Sequence, residues 1–268
     1  MEYTIDRDYK EHENCVNNAL RAFTYEETKK YAERAKEIYP DNFDTLRVCA
    51  IAEIRKNHWE PVEAYLQYGK ALERADEVIR EDESGKYECI NDWYRSFHGR
   101  PYIRLKREYA FTLLNCGMMD QARKQYEDIV ALSHYDGYGD RYKLAAIYAF
   151  LGDRIAMENL MKKYEGCCGS GIFLPASVCF FKRGDLIKAE RYLRKAYDCN
   201  NNFKTFLEKT INKNFRQKTE EIYDKCLGEG YLADSYEECV FEVLDTMFLY
   251  DSVPAFFDWA RRVVRKFD

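Results

Sequence analysis

The chain has 268 residues, a formal net charge of −5 and an aromatic content of 16 %. This composition excludes a disordered chain, which would be poor in aromatic residues, and the acidic balance gives no reason to expect nucleic acid as a partner. No run of 18 apolar residues occurs, so no transmembrane span is expected. The acidic, polar N-terminal segment is unlike a signal peptide. We therefore expect a cytoplasmic protein that binds neither nucleic acid nor membrane.

Ten cysteines are spread along the chain without a CxxC pair and without histidines at zinc-finger spacing. Most of them fall among apolar residues of expected helices, where cysteine acts as a small hydrophobic residue. This pattern favours reduced thiols over a disulfide framework or a zinc site, and we expect no cofactor. The vicinal pair Cys167–Cys168 lies in an expected loop, so a redox or metal role for this pair remains the less favoured alternative.

The first predicted helix covers residues 7–22, where apolar side chains recur at helical spacing. Thr24 and Glu27 form a capping-box pattern that predicts the start of a second helix, and Pro40 marks its end. The N-terminal part of the chain is therefore expected to begin with a helical hairpin.

A second helix pair is predicted over residues 44–56 and 61–80. The segment that follows, residues 81–99, is polar with scattered aromatic residues and breaks the helical pattern. We expect an irregular insertion there, either a loop or a lengthened hairpin tip. Pro101 then favours the first turn of the next helix, because its fixed φ and missing N–H suit that position.

Three helical hairpins are predicted in the middle of the chain, turning at Gly117, Gly152 and Gly184, which are separated by 35 and 32 residues. Glycine suits a tight helix-to-helix turn because it adopts positive φ without a Cβ penalty. Asp153 and Asp185 directly follow two of these glycines and are expected to cap the second helix of each pair. A small residue in the helix before each glycine would let the two helices approach closely: Ala110, Ala145 and Ser177.

The C-terminal part, residues 203–268, is predicted to contain capping helices with a weaker period. Helices are expected over residues 203–211 and 217–227, with a break at Gly228–Gly230. Ser235 and Glu238 form another capping box, which opens a helix whose apolar side runs to Phe248. A last helix is expected to begin at Pro254.

The glycine spacing is close to the 34-residue period of tetratricopeptide repeats, and the pattern resembles that family. More narrowly, the chain is similar to poorly characterised prokaryotic tetratricopeptide proteins related to the suppression-of-tumorigenicity family. The segments that carry this similarity are GRPYIRLKREYAFTLLNCGMMDQARKQYEDIVAL and YDGYGDRYKLAAIYAFLGD. The similarity covers residues 97–200 well and the C-terminal end weakly. Where relatives usually have Asn-Gln, this chain has Gly137 and Tyr138.

The resemblance implies an all-α protein, a right-handed α-solenoid of antiparallel helix pairs in an α-α superhelix. It implies one domain over residues 1–268, with the clearest repeats over residues 100–200. The family gives no catalytic activity to carry over. Its members are scaffolds that bind a protein or peptide partner, so we expect the same kind of function here.

In a tetratricopeptide hairpin the first helix of each pair lines the concave surface, and the glycine register places cationic and aromatic side chains there. Arginine guanidinium groups pair with carboxylates through two parallel hydrogen bonds, so the expected occupant is a peptide with acidic character. The predicted peptide-binding residues are Arg104, Arg107, Phe111, Asn115, Tyr142, Lys143, Phe150, Phe181 and Lys182.

Two alternatives to a groove remain open. The three phenylalanines of this set are equally well explained as packing between adjacent repeats. Arg100 and Arg141, at the starts of two helices, would then pair with acidic neighbours inside the scaffold. In that case the chain is a structural subunit of a homo- or hetero-oligomer, with the aromatic-rich residues 87–102 as a contact, and its oligomeric state stays open.

Nothing in the sequence indicates an enzyme. The four histidines lie at no spacing that is typical of a catalytic triad or a metal site. No phosphate-binding GxxxxGK[ST] or GxGxxG motif is present. A peptide-sensing regulator would need a basic DNA-recognition helix, and residues 1–40 contain none.

Overall fold

A computed structural model describes residues 7–210 and 215–267 of the chain. Within these ranges the protein forms fifteen α-helices and one π-helical segment, and no β-strand. The predicted all-α class is confirmed for this part of the chain, and neighbouring helices pack in sequence order. No helix in the described ranges combines the length and the apolar character needed to cross a membrane.

The chain divides into two compact units, Met1–Asp140 and Arg141–Asp268. In the first unit each helix packs against the next, and α1, α3 and α5 also contact one another in that order. The helices of this unit are α1 (Arg7–Arg21), α2 (Tyr25–Ile38), α3 (Phe43–Lys56), α4 (Pro61–Arg80), α5 (Gly99–Asn115) and α6 (Met119–Leu132).

The helix starts of the first unit follow from local hydrogen bonds. The Thr24 side chain accepts a hydrogen bond of 3.3 Å from the backbone N–H of Glu27, so the predicted capping box is confirmed. Asn42 caps α3 in the same way, accepting from the N–H of Asp44 at 2.9 Å. The predicted helices over residues 44–56 and 61–80 are confirmed to within one residue.

Residues 82–98 form an irregular segment between α4 and α5, as predicted. The Asp82 carboxylate accepts from the N–H of Lys86 at 2.9 Å, and the N–H of Trp93 donates to the carbonyl of Leu132 at 3.0 Å. Gly99 lies so close to this segment that a Cβ there would come within 2.8 Å of the Trp93 backbone. The segment is therefore held in place by its own turns and by α5 and α6.

The second unit continues the alternation of helices and short turns. The two predicted turn glycines of this unit have φ values of 69° at Gly152 and 76° at Gly184, and the third, Gly117 in the first unit, has a φ of 73°. The side chains of Asp153 and Asp185 cap the following helices, as predicted. The elements are α7 (Asp140–Leu151), α8 (Arg154–Lys163), α9 (Ser170–Lys182), α10 (Leu186–Cys199), α11 (Asn202–Thr205), the π-helix (Phe206–Thr210), α12 (Phe215–Glu229), α13 (Tyr236–Asp245), α14 (Met247–Asp251) and α15 (Ala255–Val264).

Three boundaries in this unit differ from the sequence prediction. The helix expected over residues 203–211 is a single α-helical turn that widens into the π-helix, and residue 211 lies outside the described residues. Helix α12 continues through Gly228, so the break is at Gly230, where φ is 78°. The helix expected to run through Phe248 is divided at Thr246, whose hydroxyl donates to the carbonyl of Glu242 at 2.6 Å.

Candidate functional site

The first unit contains a half-open cavity of about 1070 Å³, bounded by α1, the turn before α3 and its first residues, residues 82–98 and the start of α5. Ligand-binding clefts in proteins typically measure about 300–1,000 Å³, so the space is sufficient for a ligand. The lining combines aromatic, cationic and acidic side chains. Prominent among them are Tyr9, His12, Glu13, Phe43, Asp44, Arg47, Lys86, Tyr87, Arg95, Phe97, His98, Arg100 and Arg104.

Asp44 and Arg104 form the base of this cavity. Arg104 Nε donates to one carboxylate oxygen of Asp44 at 3.0 Å, and Nη2 donates to the other. Arg47 Nε lies 3.3 Å from the same carboxylate, which is only 11 % exposed. Arg104 was expected to bind a peptide carboxylate, but its fork is already occupied by Asp44 within the scaffold.

Arg107 is engaged in the same manner at another point of α5. Its Nε donates to Asp140 at 2.7 Å, and its guanidinium lies 4.3 Å from the ring centre of Tyr138. The other two predicted residues of α5, Phe111 and Asn115, are exposed but do not line the cavity. Of the four predicted α5 residues, the structure therefore brings only Arg104 to the cavity.

Three cationic side chains, Lys86, Arg95 and Arg100, form what we call the cationic wall of the cavity. All three are exposed. Arg100 Nε donates to the carbonyl of Tyr94 at 2.8 Å, which leaves the charge of its guanidinium uncompensated. Within the residues that the structure describes, no carboxylate oxygen lies within ion-pair distance of any of the three. The wall thus has positive charge that the described fold does not neutralise.

An aromatic pair of one half-buried and one exposed ring lines the cavity. The rings of Tyr9 on α1 and Phe97 in the 82–98 segment lie 5.0 Å apart, and Phe97 is 61 % exposed. Burial, together with the nearby charges of Glu13 and Asp44, raises the pKa of Tyr9 and keeps its phenol protonated. This pair offers an apolar surface with one hydroxyl donor.

The two histidines of the cavity add no positive charge at neutral pH. His12 Nε2 lies 2.7 Å from the hydroxyl oxygen of Thr45, and burial lowers its pKa. Burial and the charge of Lys86 lower the pKa of His98. Both imidazoles are therefore neutral hydrogen-bonding groups, and the positive charge of the cavity comes from lysine and arginine.

In the second unit the predicted groove residues contact the C-terminal helices. Lys143 Nζ lies 2.8 Å from the carboxylate of Asp245, and the ring of Phe150 lies 6.0 Å from that of Phe248. Phe150 and Phe181 therefore pack within their own unit, with side chains of α14 and α15 among their partners. Phe181 on α9 lies beside Phe256 and Trp259 of α15. Two other predicted residues join α7 to α9: Lys182 donates to the Phe150 carbonyl, and a Cβ at Gly171 would come within 2.7 Å of the Tyr142 ring.

Glu242 on α13 is a buried carboxyl group that the sequence did not single out. Ser170 Oγ donates to its Oε1 at 3.0 Å, whereas Oε2 is shut off from solvent without a hydrogen-bond partner in the described structure. Burial, with a smaller contribution from Glu238, raises the pKa of Glu242 to about 8. The group is therefore protonated at neutral pH, and it joins α13 to the start of α9.

The cysteines are ten separate thiols. Of the vicinal pair, Cys167 is exposed, whereas Cys168 is buried and its Sγ donates to the carbonyls of Met161 at 3.4 Å and Tyr164 at 3.3 Å. Burial raises the pKa of Cys168 and disfavours the reactive thiolate. In the described ranges, no three His, Cys, Asp or Glu side chains are grouped as ligands for a metal ion.

The signal for the cationic wall was available in the sequence as three cations among closely spaced aromatic residues in 86–102. Its assembly with α1 depends on tertiary structure.

Comparisons of the chain with protein-family models, curated proteins and solved structures find no match. Function is therefore inferred from the residues and their geometry.

Proposed function

We propose that this protein is a non-enzymatic scaffold that binds a peptide or a segment of a protein partner in the cavity of its first unit. The observation that carries the proposal is the combination of a large cavity with side chains that the scaffold does not use. The cationic wall lacks carboxylate partners in the described residues, and Phe97 is largely exposed at the rim. Charged and aromatic groups left available in a concave site favour ligand binding.

The proposed architecture is a right-handed superhelix of tetratricopeptide-type helix pairs. Support comes from the turns at Gly117, Gly152 and Gly184, which share positive φ at the predicted positions. The small residues before these turns are fully buried, which agrees with close helix approach: Ala110, Ala145 and Ser177. Helical repeats of this kind present extended surfaces to partners.

We place the peptide in the cavity and not along the predicted surface of α5, α7 and α9. Arg104 and Arg107 are paired with Asp44 and Asp140. Lys143 and Phe150 on α7 contact Asp245 and Phe248, and Phe181 on α9 contacts Phe256 and Trp259. A ligand on the predicted groove would have to displace these contacts, whereas a ligand in the cavity would not.

The proposal is tested by panning a library of random dodecapeptides on the purified chain and mapping the selected peptides with two tryptophan variants. Asn17 lines the cavity, so Asn17→Trp fills part of it. Asn14 is exposed on the same helix outside the cavity, and Asn14→Trp is the matched control. We expect selected peptides to lose binding to Asn17→Trp only. Recovery of no binding peptide, or equal binding to both variants, would contradict the proposed function.

A structural subunit is the second candidate, and exposed apolar side chains of the first unit favour it. Phe23 is 96 % exposed and Trp59 is 53 % exposed. Arg55 lies between the two turns that carry them, because it donates to the Ala22 carbonyl and its guanidinium lies 5.5 Å from the Trp59 ring centre. Light scattering after size-exclusion chromatography distinguishes the two candidate functions. A stable oligomer that dissociates in the Phe23→Ser and Trp59→Ser variants would support the subunit function.

We also propose that the protein works in the cytoplasm, where thiols stay reduced. The ten separate cysteines support this location, because several of them are buried singly in helix packing. Thiol counting under denaturing conditions should find close to all ten free in freshly purified protein. Several stable disulfides would contradict a reducing location.

A further inference from the structure

Resting on the proposed function, we infer that the cavity selects acidic segments in which carboxylates flank a large apolar side chain. The carboxylates pair with the cationic wall of Lys86, Arg95 and Arg100. The apolar side chain packs against Tyr9 and Phe97. The proposal names the chemistry of the ligand, which the proposed function leaves open.

The charge balance of the cavity is the first argument. Its acidic side chains are mostly neutralised by the scaffold, since Asp44 pairs with Arg104 and Asp41 pairs with Arg74 at 3.0 Å. Glu13 is then the remaining carboxylate of the lining, opposite the three cations of the wall. This local positive surplus occurs in a chain whose net charge is −5. The cavity therefore favours an anionic ligand.

The orientation of the wall is the second argument. The charged group of each member lies near an aromatic ring. Cation–π contacts of this kind restrain a side chain without neutralising its charge. Arginine forks held in this way are ready for a carboxylate and lose less entropy on binding. The distances from charged group to ring centre are 4.4 Å for Lys86 and Tyr87, 3.3 Å for Arg95 and Tyr135, and 5.2 Å for Arg100 and Tyr94.

The aromatic pair is the third argument. Phe97 sits beside the wall in sequence, between Arg95 and Arg100, and its ring reaches Tyr9 across the cavity. An apolar side chain of the ligand would cover the exposed part of Phe97, and the acidic residues next to it in the ligand would reach the cations of the wall. One residue separates Arg95 from Phe97 and two residues separate Phe97 from Arg100, and these short spacings favour a ligand whose acidic residues are adjacent to its apolar residue.

The acidic groups of the cavity make a peptide a better fit than a nucleic acid. Glu13 and the negative charge of the whole chain repel an extended polyanion, whereas a short acidic segment carries fewer charges that are repelled. Binding of oligothymidylate is therefore included as an outcome of the test. Tighter binding of the oligonucleotide than of an acidic peptide would overturn the inference.

The experiment measures fluorescence anisotropy of three labelled, capped pentapeptides: Glu-Glu-Phe-Glu-Glu, Gln-Gln-Phe-Gln-Gln and Glu-Glu-Ala-Glu-Glu. We expect the first to bind about tenfold or more tightly than the second, because each lost charged hydrogen bond has an effect of this size. We expect the third to bind more weakly than the first, and Phe97→Ala to reduce that difference. High salt should weaken the binding of the acidic peptides and leave the binding of the neutral peptide largely unchanged.

Two charge-reversal variants separate the wall from net charge. Arg95→Glu/Arg100→Glu removes two cations of the wall, and Lys70→Glu/Lys124→Glu makes the same change in net charge on exposed helix positions outside the cavity. Circular dichroism checks that both variants are folded. We expect the first variant to lose about tenfold or more in affinity for the acidic peptide and the second to lose less than about twofold.

The outcomes distinguish this inference from the proposed function. Library peptides that bind in the cavity without acidic residues, or equal effects of the two charge-reversal variants, overturn the inference and leave the proposed function standing. Absence of any cavity-directed peptide overturns both. The inference and the proposed function are both supported if the chain prefers the acidic peptide and only the wall variant loses this preference.

Discussion

The guanidinium of Arg104 donates through two nitrogens to the two carboxylate oxygens of Asp44, sixty positions earlier in the chain. This pair joins α5 to α3, so Arg104 has a structural role. We predict that Arg104→Ala lowers the free energy of unfolding by roughly 1–3 kcal/mol, because a nearly buried carboxylate loses its main partner. Urea denaturation followed by circular dichroism measures the change.

The matched control for this variant is Arg80→Ala. Arg80 is exposed at the end of α4 and has no ion pair in the described structure. Its replacement should change stability by less than about 0.5 kcal/mol. Unchanged stability of Arg104→Ala together with loss of peptide binding would return Arg104 to the binding role predicted from the sequence.

Glu242 predicts a pH-dependent stability. Its pKa is about 8 in the folded protein and near 4.5 in the unfolded chain. The folded state therefore keeps a proton that the unfolded state releases, and stability falls as pH rises from 4.5 towards 8. Glu242→Gln mimics the protonated group, so it should be more stable than wild type by roughly 2–4 kcal/mol at pH 8–9.

This advantage should shrink to less than about 0.5 kcal/mol near pH 4.5, where Glu242 is protonated in the folded state and half protonated in the unfolded state. Glu237→Gln, an exposed position on the same helix, is the control and should show no such trend. Thermal unfolding from pH 4.5 to 9 provides the comparison. Equal stability of wild type and Glu242→Gln at every pH would show that Glu242 titrates like an exposed carboxylate.

The turn at Gly152 predicts a backbone effect independent of packing. A Cβ there would meet no atom within 4 Å, but φ is 69°. Gly152→Ala should therefore destabilise the protein by about 1 kcal/mol through backbone strain alone. Gly152→Asn should lose less stability than Gly152→Ala, because asparagine tolerates this backbone conformation. Equal loss of stability in both variants, measured by thermal unfolding, would contradict backbone strain as the cause.

The vicinal cysteines should differ strongly in reactivity. Cys167 is exposed, whereas Cys168 is buried and hydrogen-bonded to two carbonyls. Burial also raises the pKa of the Cys168 thiol. Iodoacetamide followed by mass spectrometry should modify Cys167 first and Cys168 only after unfolding. Rapid modification of both, or a disulfide between them, would revive a redox role for the pair.

Local signals in the sequence were sufficient for most helix boundaries. The Thr24 cap, the Asp153 cap and the glycine turns depend on residues a few positions apart, and all are confirmed. The division of the C-terminal helix at Thr246 was missed because apolar periodicity continues across it. The hydroxyl of Thr246 donates back to the Glu242 carbonyl, and apolar spacing alone does not reveal such a local break.

The surroundings of the predicted site residues were harder to predict because their ion pairs are long-range. Arg104 and Lys143 were selected as available cations, yet their partners Asp44 and Asp245 lie 60 and 102 positions away. No sequence pattern of a few residues reports such pairs. The cationic wall was missed for a different reason, since its segment was interpreted as an irregular insertion or an oligomer contact and not as part of a ligand site.

The central claim is that a ligand peptide binds in the cavity of the first unit and not along the predicted groove. Two exposed phenylalanines allow a direct comparison, since Phe97 lines the cavity and Phe111 belongs to the predicted groove outside it. Each is replaced separately by the photoreactive p-benzoylphenylalanine, and the chain is irradiated with the labelled Glu-Glu-Phe-Glu-Glu peptide. We predict a crosslink from position 97 and none from position 111. A crosslink from position 111 with none from position 97 would contradict the claim.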